Sequence, residues 1–136
     1  MKRNRAKKLL VLFEIGRDLE QSLKSIAIIQ GRELPAVIAN LAEIMLDAMA
    51  KEPRVLMRLR EKGDENPACF EHVGLASKHY RLAMELASAC GLSVSDFFSR
   101  LLAIGVEYYP KAASAKKEEI ISAIRTDCVF RFSRLA

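Results

Sequence analysis

The sequence lacks most of the features that mark an exported or membrane protein. Its three cysteines are an odd number and widely spaced, which argues against a disulfide framework. Behind the basic start, the apolar run at residues 9–13 is far shorter than the roughly 18 apolar residues that a membrane span needs. It is also a poor match to a signal peptide. These absences predict a soluble cytoplasmic protein that makes no membrane contact.

Residue combinations that support catalysis or metal binding are missing as well. There is no glycine-rich phosphate loop, no HExxH and no GxSxG, and the chain has only two histidines and no tryptophan. Cys69 and His72 have a spacing that suits zinc, but no second pair of ligands follows. Small buried thiols are the better interpretation of the cysteines. The sequence therefore predicts no enzyme, no cofactor and no metal site.

Positive charge is concentrated at the two ends of the chain. The net charge is +5, yet residues 9–109 hold 11 basic and 14 acidic side chains, whereas residues 110–136 hold six basic and three acidic ones. Basic arms commonly contact nucleic-acid phosphates, and the alternative is a solvated tail. The N-terminal arm, residues 1–8, has no acid and the following cations: Lys2, Arg3, Arg5, Lys7 and Lys8.

The first part of the chain predicts a strand followed by two helices. Apolar side chains alternate over residues 9–15, which indicates a strand. An amphipathic helix follows over residues 18–30, with Asp18 as its cap, and Gly31 ends it. A second helix begins near Leu34. The inward strand side chains are predicted to be Val11, Phe13 and Ile15.

The same order of elements is predicted a second time. Residues 69–75 resemble a strand, Ser77 is placed to cap the next helix, and Gly91 ends that helix. Ser93 begins a capping box for a further helix, which Pro110 ends. The chain thus divides into the following segments: a basic arm at 1–8, a first unit at 9–50, a linker at 51–68, a second unit at 69–110 and a C-terminal segment at 111–136.

The linker and the C-terminal segment carry weaker signals. A short basic helix is predicted over residues 54–62, where neighbouring acids favour a solvated face. A helix over residues 114–126 should pack its isoleucines inward, and the alternation over residues 128–135 indicates a short strand.

The two units superpose at an offset of 60 residues without a gap. Identity between them is low, but the apolar pattern repeats. Two copies are too few for a solenoid and suit a pseudo-dimer. Matching positions include Gly31 and Gly91, Ala27 and Ala87, Leu41 and Leu101, Phe13 and Val73, and Ile15 and Leu75.

This pattern resembles the ribbon-helix-helix superfamily, which includes the Arc, MetJ and CopG repressors. The segment GLSVSDFFSRLL at 91–102 is similar to the second-helix signature of that family, and GRELPAVIANLA at 31–42 is a looser version. A chain with two copies also resembles the TraY-type relaxosome proteins of conjugative plasmids. The implied fold is mainly α with a short two-stranded antiparallel ribbon, built as a tandem ribbon-helix-helix pseudo-dimer within one chain.

The resemblance implies a mode of contact with double-stranded DNA. In the family, the ribbon enters the major groove and the start of each second helix faces phosphates. Arg32, Ser93 and Ser95 lie at those helix starts. The outward strand positions are Leu10, Leu12 and Glu14 in the first unit and Phe70, His72 and Gly74 in the second.

This set departs from the family, because base readout favours polar side chains. Leu10, Leu12 and Phe70 can offer only apolar contact, for example to thymine methyl groups, and Glu14 repels phosphates although it can accept from a cytosine amine. Three alternatives stay open. Residues 129–134 cover the ribbon, the ribbon binds a protein, or the register is shifted by one residue.

Two functions therefore remain as expectations. The first is a DNA-binding protein, either a transcriptional regulator or a DNA-processing accessory factor of the conjugation type. The second is a protein-interaction module that keeps the fold but has lost base readout. In both, the chain is a monomer that acts as a pseudo-dimer, and multimers on DNA are a further expectation.

Overall fold

The computed structural model describes residues 8–63, 66–109 and 116–133 and is mainly helical. Among the described residues no single helix is long and apolar enough to cross a membrane. The elements in chain order are β1 (Lys8–Gly16), α1 (Arg17–Gln30), α2 (Leu34–Lys51), a 3₁₀ helix (Pro53–Glu61), β2 (Pro67–Ala76), α3 (Ser77–Cys90), α4 (Val94–Tyr108) and α5 (Lys117–Phe132).

The two strands pair with each other as an antiparallel ribbon. Leu12 pairs with His72 near the middle, Leu9 pairs with Leu75, and the register becomes irregular only after Ile15. Side chains alternate between the two faces, as the period of a strand requires. The predicted inward set of β1 is buried, so the faces are assigned correctly and a shift by one residue is excluded.

In each strand-helix-helix segment, one glycine ends the first helix. Gly31 and Gly91 have φ angles of 63° and 71°, a left-handed conformation that other residues adopt only with strain. The amide of Arg32 donates to the carbonyl of Ala27 at 3.0 Å, which is the bond that closes such a helix end. The two stops predicted from glycine alone are confirmed.

The helix starts agree less well with the sequence patterns. α1 begins at Arg17 and has no side-chain cap, so Asp18 lies inside its first turn and does not cap it. α3 likewise begins at Ser77 itself, with Ala76 in the cap position. In both cases the chain passes from strand to helix without an intervening loop. Ser93 does cap α4, since its hydroxyl accepts from the amide of Asp96 at 3.1 Å.

One hydrophobic core joins the two strand-helix-helix segments. α2 packs on β2 and α4 packs on β1, so the second helix of each segment contacts the strand of the other. The rings of Phe13 and Phe98 lie 4.6 Å apart. α2 and α4 approach so closely that a Cβ atom at Gly105 would lie 2.9 Å from Leu41. Neither segment encloses a core by itself.

The linker forms a 3₁₀ helix, and the prediction that its charges are all solvated is wrong. Arg58 is only 2% exposed. Its guanidinium donates to Glu61 at 2.9 Å, to Glu107 at 2.8 Å and to the hydroxyl of Tyr108 at 2.8 Å. Burial disfavours the charged form, but these bonds outweigh it and raise the pKa of Arg58 above its ordinary value. One acid next in sequence, Glu61, is therefore a partner of a buried cation.

The strand predicted for residues 128–135 is wrong as well, because α5 continues to Phe132. Val129 and Phe130 are both exposed, although neighbouring residues of a strand would face opposite sides. The burial of residues 128–132 therefore follows a helical period. The buried face of α5 packs against α2, α4 and the 3₁₀ helix. The buried side chains of α5 are Ile120, Ile121, Ile124 and Cys128.

Candidate functional site

The outer ribbon face consists of the six outward strand positions, and the register places them in three cross-strand pairs. The pairs are Leu10 with Gly74, Leu12 with His72, and Glu14 with Phe70. Leu10, Leu12 and Phe70 are 74%, 44% and 58% exposed. The outer ribbon face is therefore open to solvent. α5 packs against α2, α4 and the 3₁₀ helix instead, so the described residues 129–133 do not cover the ribbon. Arg134 lies outside the described residues.

The two ends of the outer ribbon face differ in charge and bulk. At one end Gly74 has no side chain, and the Lys8 side chain lies beside it, with Cδ 3.6 Å from the position that a Cβ atom of residue 74 would take. At the other end Glu14 stands opposite the exposed ring of Phe70. A polyanion approaching this face meets a cation at one end and a carboxylate at the other.

The structure brings together two residues that the sequence placed in separate roles. The hydroxyl of Ser95, in the first turn of α4, donates to Glu14 Oε2 at 2.9 Å. This bond fixes the start of α4 beside β1 and engages the donor that was predicted to reach a phosphate. Residues 81 positions apart form it, so no local pattern predicts it.

A shallow depression of about 440 Å³ lies beside this bond. Residues of β1 form one wall of the depression, and the first turns of α3 and α4 form the other. Tyr80 is the one ring in its wall, and the sequence did not indicate it, since the repeat aligns it with Glu20. The lining residues are Leu9, Leu10, Val11, Leu12, Tyr80, Val94 and Ser95.

The two second helices begin differently. α4 has Ser93 as its cap, whereas α2 has Glu33 in that position with no side-chain cap bond and Pro35 in its first turn. Arg32 is exposed just before α2. Each start also carries an acid, Glu33 or Asp96, and Asp96 is paired with Arg100 at 2.9 Å. The start of α2 thus offers an exposed guanidinium, and the start of α4 offers the hydroxyl of Ser93, since that of Ser95 is bonded to Glu14.

Most of the basic arm lies outside the described residues, namely Lys2, Arg3, Arg5 and Lys7. Lys8 is the first residue of β1 and is exposed. Because the arm is joined to Lys8, its attachment point lies at the cationic end of the outer ribbon face.

The histidines and cysteines have separate surroundings. Cys69 and His72 lie three positions apart on one strand, so their side chains face opposite sides of the ribbon. Burial and a hydrogen bond with Glu20 raise the pKa of the Cys69 thiol to about 11, which keeps it protonated at neutral pH. Within the described ranges, no three histidine, cysteine or acidic side chains are grouped as a metal site would require.

His79 is buried on the inward face of α3. Its Nε2 lies 3.2 Å from Asp47 Oδ1, so it joins α3 to α2. Lys117 of α5 pairs with the same carboxylate. Burial disfavours the charge of Asp47, but these two partners outweigh it and lower the pKa of that carboxyl. This partly exposed cluster links α2, α3 and α5.

No protein-family model, curated protein or solved structure matches this chain. What the site can do follows from its own side chains. The outer ribbon face offers apolar contact from three residues, an imidazole at the centre, a carboxylate at one end and an ammonium at the other. These groups suit contact with the extended surface of another macromolecule.

Proposed function

We propose that this protein binds double-stranded DNA as a tandem ribbon-helix-helix chain, whose units at 9–50 and 69–110 act as the halves of a pseudo-dimer. The strand register carries the proposal. Leu12 and His72 are equivalent under the 60-residue offset and pair with each other. The ribbon therefore has approximate two-fold symmetry about them, which is the pairing that an isologous dimer of one strand requires.

The crossed helix packing supports the same proposal. The second helix of each unit lies on the strand of the other unit. The first helices, α1 and α3, end at equivalent glycines, Gly31 and Gly91. An interlocked arrangement of this kind exposes one face of the ribbon while four helices cover the opposite face. A two-stranded ribbon fits the major groove of B-form DNA.

Each part of the site has a role in this function. Lys8 and the arm contact phosphates at one end of the ribbon, and Arg32 and Ser93 contact them at the helix starts. His72 is the polar base reader at the centre, while Leu10 and Leu12 contact thymine methyl groups. The task that follows is transcriptional regulation or accessory binding in DNA processing, such as conjugation.

Salt-dependent duplex binding tests the proposal. Fluorescence anisotropy would compare the full chain with a chain that begins at Lys8, which removes four cations and leaves β1 intact. If each cation meets one phosphate, the slope of log affinity against log salt should fall by about 3 to 4 units. A full chain that binds no duplex at low salt would contradict DNA binding.

A second function, a protein-interaction module, is favoured by one observation. Leu10, Leu12 and Phe70 form an exposed apolar surface beside the carboxylate of Glu14, a composition better suited to a protein partner than to a polyanion. On this alternative the partner docks on the outer ribbon face, and the same anisotropy series shows no steep dependence on salt.

A further inference from the structure

A second concave surface lies between the end of α2 and the outward face of α5. It is a groove of about 560 Å³, closed on one side by the turn between α2 and the 3₁₀ helix. The outer ribbon face contributes no residue to it. Its lining residues are Lys51, Glu52, Arg54, Lys117, Glu118, Ile121, Ser122, Arg125, Thr126 and Val129.

The groove keeps an excess of available positive charge. Glu52 is buried and already satisfied, because Arg54 donates to it through Nε at 2.7 Å and Nη2 at 2.9 Å. These hydrogen bonds outweigh desolvation and lower the pKa of Glu52. Among the residues that the structure describes, Lys51 and Arg125 have no carboxylate within ion-pair distance. Lys51 and Arg125 are thus left for an external anion, and their two positive charges exceed the one exposed carboxylate of the lining, that of Glu118.

Hydrogen-bond donors follow the same wall at helical spacing. Ser122, Arg125 and Thr126 are three and four positions apart on α5, which puts them on one face of that helix. No lining residue is aromatic, so the groove has no platform on which a base could stack. Cations with hydroxyl donors and no stacking ring suit the sugar-phosphate backbone of a duplex.

We propose that this groove binds the phosphodiester backbone of duplex DNA, as a contact surface separate from the ribbon. The proposal rests on the proposed DNA-binding function and extends it. α2 has 18 residues and is therefore about 27 Å long. Arg32 precedes its first turn and the groove lies at its last turn, so the two surfaces take different stretches of backbone. A duplex that contacts both must extend beyond the ribbon and bend around the protein.

The test compares two charge-matched double variants of the full chain by anisotropy. Lys51→Gln with Arg125→Gln removes the free cations of the groove. Lys24→Gln with Arg81→Gln removes the same charge from exposed positions on α1 and α3. On a long duplex the groove variant should lose about 2 units of salt slope, since each phosphate contact contributes about 0.9. Arg125→Lys should keep the slope, and a short duplex that spans only the ribbon should not distinguish the variants.

Three results would overturn the proposal. The groove and control variants could have the same slope on the long duplex, in which case DNA binding stands and the groove takes no part. Calorimetry with inorganic pyrophosphate could show binding that the groove variant alone loses while the duplex slope is unchanged, which would make the groove a small-anion site. If the unmodified chain binds no duplex, the proposed function fails and this inference fails with it. Circular dichroism of each variant checks that the fold is retained.

Discussion

At the scale of single residues, a substitution of Leu12 gives the clearest test of what the ribbon binds. It pairs with His72 at the centre of the outer ribbon face and is half-exposed. Glu14 is less informative, because its bond to Ser95 also positions α4, so that a substitution there changes structure and charge together. A substitution at Leu12 alters only what the face presents to a ligand.

If the ribbon enters the major groove as proposed, replacing Leu12 with lysine should strengthen DNA binding, because the new ammonium would then lie in that groove. We expect affinity at moderate salt to rise several-fold and the salt slope to increase by about 1. Met84→Lys is the matched control, since Met84 is 47% exposed on α3 and lies away from the ribbon face. Equal slopes for the two variants, measured by anisotropy, would mean that the ribbon does not face DNA.

At the scale of elements, a buried charge network holds the 3₁₀ helix to α4 and α5, in addition to the apolar side chains that this helix buries in the core. Arg58 bonds Glu107 and Tyr108 of α4, and Tyr108 in turn bonds Asp127 of α5. A buried guanidinium is stable only when its donors are satisfied, so this short helix and two longer ones depend on each other.

Arg58→Met should destabilise the protein by about 2 kcal/mol. The loss of one partner of a buried pair costs roughly 3 to 5 kcal/mol, and the partial exposure of Glu61 and Glu107 reduces that cost. Arg60→Met, an exposed change in the same helix, should stay within about 0.5 kcal/mol of the unmodified chain. Urea unfolding measures both, and equal midpoints would show that the buried network adds nothing.

At the scale of the whole molecule, the shared core makes the chain fold as one unit. Each unit's second helix covers the other's strand, and both contribute to the contact between Phe13 and Phe98. Both partners of every such contact are in the same chain. Assembly should therefore not depend on protein concentration, in contrast to an obligate dimer.

The melting temperature should be constant over about a 100-fold range of concentration. Circular dichroism with matched path lengths measures it, and the spectrum should be dominated by helix. A midpoint that rises with concentration would instead mean that two chains exchange their units.

The sequence by itself determined the elements whose signals lie within a few residues. The alternation in β1, the helical period of α1 to α4 and the stops at Gly31 and Gly91 follow from backbone sterics and side-chain spacing, and these predictions agree with the structure. The faces of the ribbon follow from the same alternation.

Tertiary structure decided what depends on distant partners. The helix predicted over residues 114–126 continues to Phe132 because Cys128 is buried in the core, although these last residues alternate like a strand. Arg58 is buried because Glu107 meets it from α4, and Ser95 meets Glu14 across 81 positions. The groove at Lys51 likewise exists only where α5 lies beside α2. Such contacts bring together residues far apart in the chain, and local propensity has no part in choosing them.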